Sequence, residues 1–489
     1  MGNVGRGVSF VFLAQVFRMV AKGGLILILT RYLLTPNEYG QLFLTLSVLG
    51  IALMFAGLGL GKSGAKYITD YRETDPELVP VVIRSMYACR AVGITVVAAV
   101  LFLFHQAIAD AIGNPAIGVL LLVGIGYLAT HSLKILTSMV FAGHNRMGLY
   151  AALGIVGHVT LILAVPGLVV LGYGLEGALV GYALSAGLTA IVGMLVVHSR
   201  FYTRSDAGDV SADETSRVWR QVIRYSVPLM FTRGASVLNS RVDTILLGFF
   251  RGATPVAYYT LGKQLVDFLI APAQSLGFGV SPTFGEQKAN ENLDSAAHLY
   301  ERSFTYTVAL YGPAAAGIFF VAEPTVTLIF GSDYAGAVPV IQIFSLFVLV
   351  RSLDSITSDA LDFLGRARSR AIAKVTLAVA NFLLNLVLIP PFGLVGATVA
   401  TVLTQSVYVG IELFIIANEL PLHTRRLARS TAIVGAITAG MSLVVYPLVG
   451  FATTLPTLFG VVAAGGAVWL VLTALTDVVD LRQLRSTLT

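Results

Sequence analysis

Apolar runs of about twenty residues follow one another along the whole chain, separated by short polar connections. A helix needs about 20 residues to cross the hydrocarbon core of a bilayer, so the pattern predicts an all-α membrane protein. Fourteen spans are expected, at 8–31, 39–61, 80–104, 115–142, 147–171, 175–198, 218–249, 255–283, 298–321, 335–364, 370–391, 394–417, 428–449 and 455–476. The alternating ten-residue segments of a transmembrane barrel are not seen. The longest polar connection, 199–216, reads SRFYTRSDAGDVSADETS and falls between the sixth and seventh spans. The expected organisation is therefore a six-helix lobe at 1–198, a linker at 199–216 and a second six-helix lobe at 217–417. Two additional transmembrane helices follow at 428–476, and then a tail at 477–489.

Composition agrees with this pattern. Of 489 residues 56% are hydrophobic and only 12% charged, with mean hydropathy +0.82, whereas a soluble domain carries about 25% charge. The basic residues also set an orientation. With the N-terminus in the cytoplasm, the inner loops and span ends hold Arg6, Lys62, Lys66, Arg72, Arg146, Arg200, Arg204, Arg217, Arg220, Lys288, Arg302, Arg366, Arg368, Arg370, Arg425, Arg426, Arg429, Arg482 and Arg485, while the outer loops hold little beyond Arg31 and Arg251. This is the positive-inside bias, and it predicts a multi-pass protein of the cytoplasmic membrane with both termini cytoplasmic. The net charge of +6 is then a topology signal, and no nucleic-acid partner is expected. The first run is too long, and too charged inside, to be expected as a cleaved signal peptide. Cys89 is the single cysteine, so neither an internal disulfide nor a thiolate metal cluster is expected. No nucleotide loop or HExxH helix stands out, and no cofactor or catalytic residue is expected. Gly57-Leu58-Gly59-Leu60-Gly61 lacks the strand context of a phosphate loop and reads as a place of close helix packing.

The chain also repeats itself. Thr35-Pro36-x-x-Tyr39 recurs as Thr254-Pro255-x-x-Tyr258, and Gly174-Leu175-Glu176-Gly177-Ala178 as Gly393-Leu394-Val395-Gly396-Ala397, both at an offset of 219 residues. Phe141-Ala142-Gly143-His144-Asn145-Arg146 resembles Phe363-Leu364-Gly365-Arg366-Ala367-Arg368, displaced by about three residues from that register. Three matches in order predict a duplicated six-span unit. Six is even, so the copies are parallel, and a substrate site is expected between them near mid-membrane.

Charges inside the spans are costly and mark function. The candidates are Arg18 and Lys22 in span one, Arg84 and Arg90 in span three, Lys134 in span four, and Arg233, Arg241 and Asp243 in span seven. Span eight adds Lys263 and Asp267, and span ten Arg351, Asp354 and Asp359. Lys22 and Arg241 are equivalent under the repeat, and Gln15, Arg18 and Lys22 share one helix face. The bland readings are an internal bridge for Lys263–Asp267 and for Arg351–Asp354, snorkelling for Arg84, and a hydrogen-bonded packing role for His158. The first half has no internal carboxylate to pair with its cations. A cavity with surplus positive charge follows, and it suits an anionic, phosphate-bearing substrate.

The stretch FVFLAQVF, the segment LTPNEYGQLFL and the duplicated FAGHNRM/FLGRARS and GLxGA strings resemble the polysaccharide transporter branch of the multidrug/oligosaccharidyl-lipid/polysaccharide (MOP) superfamily. The resemblance implies a monomeric flippase with two six-helix lobes around a central cavity. Such a protein carries a polyprenyl (pyro)phosphate-linked oligosaccharide across the membrane by alternating access, for surface polysaccharide or glycoprotein glycan synthesis. The expected substrate contacts are Arg18, Lys22, Arg84, Arg90, Lys134, Arg233 and Arg241. Asp243, Asp267, Asp354 and Asp359 are the expected counter-ions or Na+ or H+ coupling sites, and membrane lipid is the remaining partner. The rival within the superfamily is a drug/cation antiporter of the multidrug and toxin extrusion (MATE) type, which calls for a carboxylate inside the first lobe. A scaffold or channel within a membrane assembly, a reading from a different class, leaves the Lys22/Arg241 equivalence unexplained.

Overall fold

In a computed structural model, the backbone is described for residues 2–202 and 210–476. Side chains at 2–13, 231–233, 235, 276 and 278–279 are not among those described. Arg233 and the side chain of Arg6 therefore lie outside the described residues, as do Arg204, Arg482, Arg485, the middle of the 199–216 linker and the 477–489 tail. Among the described residues every regular element is helical. The helices are α1 (Gly2–Ile28), α2 (Pro36–Gly57), α3 (Leu60–Thr74), α4 (Val79–Ile112), α5 (Ala116–Gly143), α6 (Met147–Leu168), α7 (Gly174–Val197), α8 (Ala212–Arg251), α9 (Ala253–Leu269), α10 (Ala271–Ala289), α11 (Leu293–Thr325), α12 (Val338–Phe363), α13 (Ala367–Glu419), α14 (Thr424–Val449) and α15 (Leu455–Thr476). Nine helical stretches among the described residues are long and apolar enough to cross a membrane. The expected spans one, seven and eight are not among the nine. These are the segments carrying Arg18 and Lys22, Arg241 and Asp243, and Lys263 and Asp267.

The helices group into two compact units, residues 1–256 and 257–489. In the first, α5 packs on α7, α6 on α7 and α1 on α6, while α8 runs against α2, α3 and α4. In the second, α12 packs on both α11 and α13, and α14 lies along α11 and α15.

Local chemistry explains the motifs. Thr35 caps α2: its side chain accepts from Glu38 N–H, and the Glu38 carboxylate returns to Thr35 N–H at 2.9 Å. This is the reciprocal pairing of a capping box, with Pro36 in the first turn where its missing N–H costs nothing. Tyr39 is fully buried. The Gly57–Gly61 run contains a break between two helices as well as the expected close packing. Leu58 and Gly59 take positive φ (45° and 69°), and a Cβ on Gly59 would stand 2.4 Å from Ser226 O of α8. Only glycine satisfies both conditions at that position.

Two further turns have counterparts in the second unit. Gly174 (φ 53°, ψ −136°) and Gly393 (φ 56°, ψ −128°) break their helices with the same backbone geometry, at the expected offset of 219. The third motif is shifted from its sequence register. The turn after α5 is closed by His144 N–H to Val140 O, Asn145 N–H to Ala142 O and Arg146 N–H to Phe141 O. The turn after α12 is closed by Leu364 to Ala360, Gly365 to Asp362 and Arg366 to Leu361. Asn145 (φ 55°) thus corresponds to Gly365 (φ 78°), and Gly143 does not. The turn demands one left-handed residue, which asparagine and glycine both supply, whereas the shared FxG string aligned by identity alone.

Candidate functional site

In the first unit the cations gather on three helices. Arg18 and Lys22 lie one turn apart on α1, both exposed. Lys134 of α5 is within electrostatic reach of Lys22. His158, in the middle of α6, is within reach of Lys134, Lys22 and Arg18, and its Nδ1 is fixed to Gly154 O at 2.7 Å. Lys134 has a prepared seat. A Cβ on Gly157 would stand 2.9 Å from Lys134 Nζ and 2.9 Å from Thr189 Oγ1, so the missing side chain is the space the ammonium occupies. Ser185 and Thr189 of α7 complete the wall: Ser185 donates to Gly157 O and Thr189 to Ser185 O, each at 2.6 Å.

Arg241 approaches the same helix α5 at another level. Its Nε would lie 3.3 Å from a Cβ on Gly50 of α2, and its charge reaches Tyr127. Tyr127 packs against His131 (4.9 Å between centroids) and edge-on to Tyr182 (6.1 Å, 90°). Tyr127, His131 and Lys134 follow one another at i, i+4 and i+7 on one face of α5. A polar stripe thus runs about 10 Å along that helix, with Arg241 near one end and the Lys22–Lys134 group near the other. Among the described residues, no carboxylate forms an ion pair with Arg18, Lys134 or Arg241. Asp243 is buried, two residues from Arg241, and residues at i and i+2 point to different faces.

The remaining cations of the first unit stand apart from this group. Arg90 is 3% exposed and donates to Ala56 O at 3.3 Å, with Gly57 beneath its guanidinium. It satisfies a carbonyl in the last turn of α2, which makes it a fastening for the break at Leu58–Gly59. Arg84 is exposed and bonds the Tyr202 hydroxyl at 3.3 Å, beyond the end of α7. A pocket of about 540 Å³ lined by Arg72, His144, Asn145, Arg146, Arg200 and Phe201 belongs to helix ends and turns and does not include the span cations.

In the second unit several charges of α12 come with partners. Arg351 lies 3.8 Å from Asp354, whose other contacts are Gln405 Nε2 at 3.0 Å and Ser358 Oγ at 2.8 Å. Ser358 Oγ is also 2.6 Å from Glu412, which is fully buried on the second arm of α13. One hydroxyl has one proton to give, so contact with two carboxyl groups calls for a proton on one of them. The outer oxygen of Glu412 faces the buried Tyr408 hydroxyl, outside regular hydrogen-bond geometry. Asp359 packs where a Cβ on Gly277 would stand 2.9 Å from its Oδ2, and Asp362 pairs with Arg370 at 2.6 Å. The expected Lys263–Asp267 bridge does not form. Lys263 turns its ammonium toward the Tyr259 ring, 5.7 Å away, while Asp267 is exposed. Glu412 was not among the expected residues. The stripe Gln405–Tyr408–Glu412, at i, i+3 and i+7, was the available signal, and it was hidden in a span that otherwise reads as apolar.

With this geometry in hand, the comparisons with known proteins are direct. Residues 4–286 match the family described as "Polysaccharide biosynthesis protein", and residues 228–388 match the MatE family. The probable low-salt glycan biosynthesis flippase Agl15 of Haloferax volcanii is 23% identical over 76% of this chain and 75% of its own length. The succinoglycan biosynthesis transport protein ExoT of Rhizobium meliloti is 24% identical over 64% of this chain and 60% of its own. Among solved structures, the lipid II flippase MurJ in an inward closed conformation superposes with a TM-score of 0.75 at 15% identity, over 95% of this chain and 98% of that one. An inward-facing MATE transporter of the MOP superfamily gives 0.68 at 16% identity, over 86% and 96%. The fold is that of the MOP transporters, and the chain belongs to the polysaccharide biosynthesis protein family.

Proposed function

We propose that this protein is a flippase that moves a polyprenyl phosphate- or pyrophosphate-linked oligosaccharide across the cytoplasmic membrane by alternating access, for surface polysaccharide or glycoprotein glycan synthesis. The observation that carries the reading is the group Arg18, Lys22, Lys134 and His158 on α1, α5 and α6. A phosphate can draw several charge-assisted contacts from such a set, and a cationic drug would be repelled by it. That repulsion, with Agl15 and ExoT both named for glycan biosynthesis or transport, favours the flippase over the MATE-type antiporter. Lys134, fixed by Gly157, holds the phosphate, while Arg18 and Lys22, exposed and long, follow it. Arg241 and the Tyr127–His131 face receive the first sugars, since aromatic faces suit sugar rings and a guanidinium suits a uronic or sialic carboxylate.

The proposal extends to the architecture: fourteen spans, two copies of a six-helix unit inserted in the same orientation, α14 and α15 outside the repeat, and both termini cytoplasmic. The matched turn geometries at Gly174 and Gly393 and at Asn145 and Gly365 support the duplication, and the loop charge bias supports the orientation. Coupling is assigned to the second unit. Asp354 with Glu412 takes up and releases a proton, and Asp359, on the same helix as Asp354, serves as a counter-ion. The direct test is a deletion strain. Lipid-linked glycan should accumulate in the inner leaflet and return to normal when the intact gene is restored. Normal surface glycan in the deletion strain would refute the reading.

A further inference from the structure

Away from every charge discussed so far, three ligand-type side chains converge where α11, the end of α13 and the start of α14 meet. His298 and Glu301 lie at i and i+3 in the first turns of α11, so they share a face. His423 is the residue on which α14 begins. Glu301 is 4% exposed, and its Oε1 accepts the His423 backbone N–H at 2.5 Å. The same oxygen is 3.1 Å from His423 Nδ1, and Oε2 is 3.8 Å from His298 Nδ1. The two imidazoles are nearly parallel, 8° apart with centroids separated by 5.6 Å, and both turn Nδ1 toward the carboxylate. One donor atom from each of the three residues falls within 4.8 Å of the others.

We infer that His298, Glu301 and His423 form a binding site for a borderline divalent transition cation, Zn2+ foremost. Two imidazole nitrogens and one carboxylate oxygen are a donor set that suits Zn2+ better than the oxygen-seeking Ca2+ or Mg2+. Bonds of about 2.0–2.2 Å place tetrahedral ligands roughly 3.4 Å apart. The two imidazole–carboxylate separations, 3.1 Å to Oε1 and 3.8 Å to Oε2, lie on either side of that value, and both imidazoles are exposed and can turn toward a common point. The carboxylate is already oriented. It is fixed by a backbone N–H, as ligands of metal sites usually are, and Ala297, Tyr300 and Leu420 form a buried apolar cluster beside it. Arg302, the nearest cation in sequence, is turned away to bond the Tyr306 hydroxyl at 3.0 Å. A bound ion would fasten the N-terminal end of α11 to the turn that launches α14, and with it the two helices outside the repeat.

The test uses the full-length protein in detergent, purified without a polyhistidine tag and stripped with chelator. Titration with Zn2+ should show one saturable equivalent and raise the unfolding temperature. Co2+ should give the visible d–d bands of a low-coordinate site. His298→Ala and His423→Ala, at exposed positions that leave the Glu301–backbone bond in place, should each weaken Zn2+ binding by roughly tenfold or more and remove the thermal shift. Absence of saturable binding to the parent protein overturns the inference. So does an unchanged affinity in both variants, or an equal stabilisation by Ca2+.

Discussion

The two units handle charge in opposite ways. In residues 1–256 the embedded cations Arg18, Lys134 and Arg241 have no carboxylate ion-pair partner among the described residues. In residues 257–476 Arg351 faces Asp354, and Asp354 is tied through Ser358 to Glu412. A buried charge costs several kcal/mol unless something compensates it. The second unit compensates internally, with an acid beside Arg351 and an amide and a hydroxyl on that acid. In the first unit Arg18 and Lys22 are exposed, where water or an entering anion can reach them. Under the proposed function, that contrast places substrate contact in the first unit and ion handling in the second.

The contrast breaks most sharply at Glu412. Glu412→Ala removes the carboxyl group that Ser358 contacts at 2.6 Å, leaves a gap in a dry place and should cost about 1–3 kcal/mol of stability. Glu412→Gln keeps the shape and a hydrogen-bonding group. It should fold nearly as well as the parent while losing the dependence of transport on a pH gradient. Thermal unfolding, and flipping measured with and without a proton gradient, separate the two. Wild-type gradient dependence in Glu412→Gln would remove ion handling from this cluster.

Gly157 sharpens the other half. Valine there meets Lys134 Nζ and Thr189 Oγ1, and overpacking of this kind costs about 1–3 kcal/mol. Transport should fall roughly tenfold, as expected for a displaced binding group. Gly154, one turn earlier on the same helix, has open space where a Cβ would go. Gly154→Ala should be close to neutral in both assays, and equal losses at the two glycines would show that Lys134 has no special seat.

A smaller effect is expected at Asp267, which is exposed and bridges to nothing among the described residues. Asp267→Asn should change stability by no more than about 0.5 kcal/mol, measurable by denaturation. A loss of several kcal/mol would restore the bridge with Lys263.

The smallest effect belongs to His144, in the turn after α5. Burial, with Arg72 and Arg146 nearby, pushes its imidazole below the ordinary value of 6.5. As the pH falls below that value the unfolded chain binds a proton that the folded chain resists, so stability is lost toward acid. Replacing His144 with Phe should flatten that dependence between about pH 7.5 and 5.5, read as unfolding temperature.

The residues that were legible in sequence and those that were not differ for physical reasons. The apolar spans other than the first, seventh and eighth were readable because hydropathy is a local pattern, and the Gly174/Gly393 match was readable because the same string makes the same positive-φ turn. Lys22 and Lys134 stood out because charge in an apolar run has few explanations. The role of Arg90 was hidden because a guanidinium serving a helix-end carbonyl and one lining a cavity look alike in one dimension. Gly157 was hidden because a glycine in an apolar helix declares nothing until the side chain filling its space is known. The Lys263–Asp267 pair had the spacing for a bridge, but the ammonium lies toward the Tyr259 ring instead. Glu412 needed two helices brought together before its partner Ser358 could be seen.

The central claim is that the positive charge of the first unit meets the phosphate of the substrate. It is tested most directly by flipping of a lipid-linked pyrophosphate glycan in liposomes containing purified protein with Lys22 changed to Gln or to Glu. A modest loss is expected for Lys22→Gln, since Arg18 and Lys134 are proposed to share the contact. For Lys22→Glu, which adds repulsion where phosphate is proposed to pass, near-complete loss is expected at matched insertion. Equal flipping by Lys22→Glu and the parent protein would contradict that claim.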